Sequence, residues 1–147
     1  MYGTTRSFQT SADCKMKFVA LLILCFTAVA LPSDEPIAVI SHGERVDMNQ
    51  HLAPGHVTVF DFYADWCGPC RRLSPALEEM ARNDPGIALR KIDIVNWRTA
   101  VAHQFNIYSI PQVKVYDRSG RLVGTVRGVD LEKVKRYVEQ AKSSGNG

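Results

Sequence analysis

The run Val57-Thr58-Val59-Phe60-Asp61-Phe62-Tyr63 is β-prone and apolar almost throughout, and after Ala64-Asp65 it meets Trp66-Cys67-Gly68-Pro69-Cys70. A strand of this pattern is buried on both faces, which requires a sheet with helices packed on either side. Gly68-Pro69 then turns the chain tightly and opens a helix, since proline is well tolerated in a first helical turn. A buried strand must therefore feed a helix whose first turn carries two thiols, and few folds satisfy that.

The remaining segments fall into order around this pair. Ile37–Ile40 reads as a short strand, Glu44–His51 as a helix ended before Pro54-Gly55, and Val57–Tyr63 as the buried strand. Pro69–Asn83 is predicted as a helix, with Leu73, Leu77 and Met80 at helical spacing, a kink at Pro75 and a stop at Asp84-Pro85-Gly86. Ile87–Asp93 follows as a strand and Thr99–Phe105 as a short helix. Gln112–Tyr116 and Leu122–Val126 flank Asp117-Arg118-Ser119-Gly120 as a hairpin. Asp130 can cap a last helix with Leu131, Val134, Tyr137, Val138 and Ala141 along its apolar side. The fold class is α/β, a central mixed sheet of four to five strands with helices on both faces.

The N-terminal region differs in composition. Lys15 and Lys17 precede the apolar run Phe18–Ala30, which closes on Ala28-Val29-Ala30, the pattern of a secretory signal cleaved after Ala30. As a helix this run rises only about 20 Å, short for a bilayer core of roughly 30 Å. An uncleaved membrane anchor is the alternative. Met16 is a second candidate start, and lipidation at Cys25 is disfavoured by Leu24 before it. The division expected is 1–30 signal, 31–36 linker, 37–142 domain and 143–147 flexible tail. Cleavage removes Cys14 and Cys25, so of the four cysteines only Cys67 and Cys70 remain. An apolar content of 46% and a charged content of 22% exclude a disordered chain. The net charge of +3 on scattered basic residues gives no support to nucleic-acid binding.

A dithiol can serve several ends. A zinc site normally needs four ligands, yet there is no second cysteine pair in the mature chain and His42, His51, His56 and His103 lack ligand spacing. A structural disulfide closed over so few residues would stabilise little. A redox pair needs one accessible thiolate and one resolving partner. Cys67 at a helix N-terminus has the dipole to favour the anion, and Cys70, one turn inside, is the shielded partner. Asp61 interrupts the apolar strand; burial there would push its pKa upward and let it exchange protons near neutrality.

The segment Phe60–Cys70 resembles the active-site stretch of the thioredoxin family, and the resemblance extends over Ile37–Lys142. It implies that Cys67 attacks a substrate disulfide and Cys70 resolves the mixed disulfide. It implies also that Asp61 accepts the Cys70 proton through water, with Lys91 as the lysine that pairs with Asp61, although that register needs a one-residue gap. Ile110-Pro111 matches the family's cis-proline, which packs against the dithiol while the preceding backbone pairs with substrate. Gln112 stands where threonine is usual, and Tyr63 where tryptophan is common. Gly128 matches a family glycine beside the dithiol, with a simple turn glycine as the other reading. Trp66, Gly68, Pro69, Ile110, Pro111 and Gly128 would form a shallow docking surface. Trp97 has no expected counterpart and is read as covering the core rather than extending that groove.

The resemblance implies a thiol–disulfide oxidoreductase acting on proteins that bear disulfides, as a monomer, with no metal, organic cofactor or nucleic acid. The Gly-Pro dipeptide between the cysteines favours reduction. An oxidase or isomerase of the same fold is the alternative, as is a binding or assembly module that uses the groove without turnover. If exported to the bacterial periplasm or secreted, the protein needs an electron donor, and a membrane reductant is the expectation.

Overall fold

A computed structural model of the protein describes residues 35–144. The expected signal segment 1–30, most of the expected linker and the last three residues of the tail lie outside the described residues, as do Cys14 and Cys25. Among the described residues no helix is long and apolar enough to cross a membrane.

Five strands, β1 (Ile37–His42), β2 (Val57–Tyr63), β3 (Ile87–Asp93), β4 (Gln112–Tyr116) and β5 (Leu122–Arg127), form one sheet in the order β1-β3-β2-β4-β5. β1, β3 and β2 run parallel; β4 and β5 are antiparallel additions on the other side of β2. Among the described residues there are three α-helices, α1 (Gly68–Asn83), α2 (Ala100–Gln104) and α3 (Leu131–Ser144). This is the mixed sheet that the apolar pattern requires.

Alternation along β2 sorts its side chains into two cores. Val57 and Val59 face Leu73, Leu77 and Ala81 of α1 and Val134, Val138 and Ala141 of α3. Phe60 and Phe62 point the other way, into a cluster with Ile92, Ile94, Val101, Ala102, Cys67 and Cys70. Each fully buried aliphatic or aromatic side chain contributes about 1.5–3 kcal/mol of burial, so the central strand anchors both layers. α1 continues through Pro75 without interruption. Asp130 caps α3 by accepting from the Lys133 N–H at 2.9 Å, and Asp117 holds the hairpin turn by accepting from the N–H groups of Ser119 and Arg121.

The expected helix over Glu44–His51 is corrected to a single 3-10 turn, Met48–His51. The reason is competition for the backbone by side chains. Asp47 caps the turn by accepting from the Asn49 N–H at 3.0 Å. The N–H and C=O of Val46 are both taken by the Gln104 side chain, at 3.0 and 2.8 Å. The Glu44 carboxylate folds back onto the His42 N–H at 2.9 Å. Both Val46 backbone groups that a helix would need are thus already engaged.

Gly124 in β5 passes directly beneath Tyr137 of α3. A β-carbon at this position would lie 2.5 Å from the ring, too close without displacement. Gly124→Ala is therefore expected to destabilise the fold by about 1–3 kcal/mol in urea titration, and a Tyr137→Leu background should recover part of the loss. Native or higher stability of the single variant would refute the contact.

Candidate active site

The N-terminus of α1 is built by the cysteines themselves. Cys67 is the N-cap, with extended backbone (φ −81°, ψ 102°), and its sulfur accepts from the Cys70 N–H at 3.1 Å. Serine or aspartate oxygen usually fills this role; here a sulfur does. Cys67 and Cys70 are joined in a disulfide with their α-carbons 5.3 Å apart. In this disulfide form Cys67 is 4% exposed and Cys70 1%. Access to Cys67 runs through a groove.

That groove is a shallow cavity of about 430 Å³ lined by Trp66, Cys67, Gly68, Pro69, Trp97, Tyr108, Ser109 and Ile110. Trp66 is fixed by donating from its indole N–H to the Val95 carbonyl at 2.6 Å and by an edge-on contact with Trp97, ring centroids 5.5 Å apart. Trp97 is thus part of the groove and not a cover for the core. Its direction follows from the loop after β3, where Val95 takes a left-handed conformation (φ 57°) with its N–H on Asp93 Oδ1 at 2.8 Å. Such a φ is an outlier for a β-branched residue, and no periodicity in the sequence signals it. Tyr108, highly exposed, is the other wall residue that sequence reasoning missed.

The Ile110-Pro111 peptide bond is cis. The Gly128 N–H donates to the Pro111 carbonyl at 2.9 Å, which places these two residues side by side. Gly128 has φ +84°, and a β-carbon there would meet nothing within 4 Å. The backbone conformation accounts for glycine, and the open space leaves room for an approaching chain. Gln112 is buried and accepts from Arg127 Nε at 3.1 Å.

On the other side of the disulfide, Cys70 faces a second cavity of about 390 Å³ lined also by Tyr63, Ala64, Asp65, Arg71, Ser74, Pro75, Glu78 and Lys91. Asp61 lies behind it, fully buried. Its Oδ2 accepts from Ser74 Oγ at 2.9 Å, and Oδ1 has no protein partner among the described residues. Burial pushes its pKa up to about 6, against the opposing effects of the Ser74 hydrogen bond and the Lys91 charge. Lys91 stands opposite Asp61 in the β2–β3 register. The pairing expected between them is corrected, because the ammonium goes to Glu78 Oε1 at 2.7 Å and lies 4.6 Å from the Tyr63 ring centroid. Cys70, Ser74 and Glu78 repeat every four residues along one face of α1, a periodicity that could have exposed Ser74 and Glu78. Among the described residues no three His, Cys, Asp or Glu side chains are grouped as metal ligands.

The raised Asp61 pKa has a consequence for stability. The folded protein keeps this proton between the ordinary value of 3.8 and about 6, where the unfolded chain has released it. Stability therefore falls as pH rises through that window and stays reduced above it. The reduction is about 3 kcal/mol. Asp61→Asn is expected to remove this pH dependence and to be the more stable protein at pH 8. Urea midpoints at pH 4 and pH 8 check this, and parallel curves for the two proteins would refute it.

Residues 42–140 match the family model described as Thioredoxin. Thioredoxin 1 of Plasmodium falciparum is 30% identical over 65% of this chain and 90% of its own length. The chloroplastic thioredoxin F of Oryza sativa is 32% identical over 60% of this chain, which spans 46% of that relative. Among solved structures, the thioredoxin of Malassezia sympodialis superposes with a TM-score of 0.57 at 26% identity, covering 73% of this chain and 94% of that one. Trichomonas vaginalis thioredoxin gives 0.58 at 25% identity, over 73% and 98%. The chain therefore belongs to the thioredoxin family and is a thiol–disulfide oxidoreductase.

Proposed function

We propose that the protein works as an exported reductase of protein disulfides, with Cys67 as nucleophile and Cys70 as resolving thiol. The observation that carries this reading is the disulfide lying between two cavities, Cys67 on one and Cys70 on the other. In the reduced protein the Cys67 thiolate, stabilised at the α1 N-terminus, attacks one sulfur of a client disulfide. A Cys67–client disulfide forms and the other client sulfur leaves as thiolate. Cys70 gives its proton to Asp61, by way of water in the cavity it faces, and attacks the Cys67 sulfur. The client leaves as a dithiol carrying the two electrons, and the protein that supplied them is left oxidised as the Cys67–Cys70 disulfide. Lys91 lends positive charge near Asp61 and, with Glu78, forms the wall of the proton route.

Client chains are docked by the groove of Trp66, Gly68, Pro69 and Ile110, with Pro111 and Gly128 beside it, extended by Trp97 and Tyr108. Export is supported by the basic start, apolar run and small-residue ending within residues 15–30. A reductant at the membrane would restore the dithiol, and the protein acts as a monomer. Leu31 as the first residue of the native protein checks the export reading; an N-terminus at Met1 or Met16 would overturn it.

Cys70→Ser is expected to accumulate client proteins joined through Cys67, released by dithiothreitol, whereas Cys67→Ser captures none. Recovery of no Cys67-linked client would refute the redox role. Equilibration with glutathione decides direction: a strongly oxidising couple would refute the reductase. Trp97→Ala is expected to lower kcat/KM toward a protein disulfide by about five- to tenfold, mainly through KM. Equal loss toward glutathione disulfide would argue against a docking role.

A further inference from the structure

We propose that Ser74 and Glu78 are positioning residues for proton transfer from Cys70: Ser74 fixes one oxygen of Asp61, and Glu78 holds the Lys91 ammonium away from the other. The inference rests on the reading of Asp61 as proton acceptor and goes beyond it by naming what makes this carboxylate available.

Ser74 is a poor choice for the helix itself. Alanine would serve α1 better by a few tenths of a kcal/mol, and a helical serine usually bonds back to the carbonyl four residues earlier. Here the hydroxyl, nearly buried, donates across the layer boundary to Asp61 Oδ2 at 2.9 Å. This hydrogen bond favours the charged form and orients the carboxylate, leaving Oδ1 without a protein partner among the described residues. That free oxygen is the one able to receive a proton.

Glu78 acts on the other side. Lys91 is the cation nearest in register to Asp61. A direct ion pair would hold the carboxylate ionised and make it a weak base. Glu78 takes the ammonium at 2.7 Å, and the Tyr63 ring supports it. The Lys91 hydrogen bond holds the Glu78 carboxyl below its ordinary range, so the anchor stays charged when Asp61 titrates. The groups facing Asp61 are Ser74, Glu78 and Cys70 on α1 and Lys91 on β3, with Tyr63 farther along β2. On the β4 side the register partner is Val113, which carries no charge. Tyr63 is pushed up to about 12 by burial and neighbouring carboxylates and stays neutral.

The two positions act in opposite senses, which gives the test. The Asp61 carboxyl is titrated by 13C NMR in the reduced native protein, and the single-turnover rate of Cys70 resolution is followed from pH 5 to 9. Ser74→Ala is expected to raise the Asp61 midpoint by about one pH unit, move the rate limb equally and slow resolution at pH 7 by about twofold. Ser74→Thr should restore both. Glu78→Gln, which frees Lys91, should move the midpoint down. Midpoints unchanged in Ser74→Ala and Glu78→Gln would overturn the proposal even where rates fall. Asp61→Asn separates the two levels: if it abolishes the limb while the other variants leave it in place, only the positioning roles fail. If Asp61→Asn leaves the profile intact, the acceptor reading fails and takes this proposal with it.

Discussion

Removing a carboxyl group from water costs several kcal/mol if it stays ionised, and Asp61 is removed from water completely. It sits on the face of β2 that packs Val57 and Val59 against α1, where an apolar side chain would be the stabilising choice. The surroundings offset only part of the cost, through one hydroxyl at 2.9 Å and a cation engaged elsewhere. That incomplete compensation is what leaves the group titratable near neutrality. The two cores of the sheet stabilise the fold enough to tolerate it, so packing far from the sulfurs sustains chemistry beside them.

The groove depends on a different local device. A left-handed Val95 is strained by roughly 1 kcal/mol or more, and the loop is held by polar bonds at both ends, Asp93 to the Val95 N–H and Thr99 Oγ1 to the Ile94 carbonyl at 2.7 Å. The Val95 carbonyl then points at the Trp66 indole, and Trp97 is brought edge-on against it. The direction of the groove wall is consequently set by the loop that carries it.

Much of this was legible in the sequence where periodicity and punctuation agree. The bounds of β2 follow from a nearly continuous apolar run, β3 starts where Asp84-Pro85-Gly86 ends α1, and α1 opens at Gly68-Pro69. The cysteine pair and Asp61 were visible as residues out of keeping with their surroundings, and Ile110-Pro111 through the resemblance to the family. What escaped were directions taken by side chains. Gln104 claiming the Val46 backbone cancels a helix that pattern alone allows. Ser74 looks like an ordinary polar helix residue until the sheet beneath it is known. Lys91 was placed on the right strand beside Asp61, but its long stem lets the charge choose a partner on another element. Trp97 belongs to a loop, where no period says which way a ring will face.

The cavities on the two sides of the disulfide share no lining residue. Each sulfur of the pair thus belongs to a residue that lines a cavity of its own. Under the proposed docking, a client over Trp66 and Ile110 would cover none of the residues that line the chamber of Cys70, Glu78 and Lys91. On the proposed mechanism the bulk of a client and the supply of its releasing proton would be independent requirements.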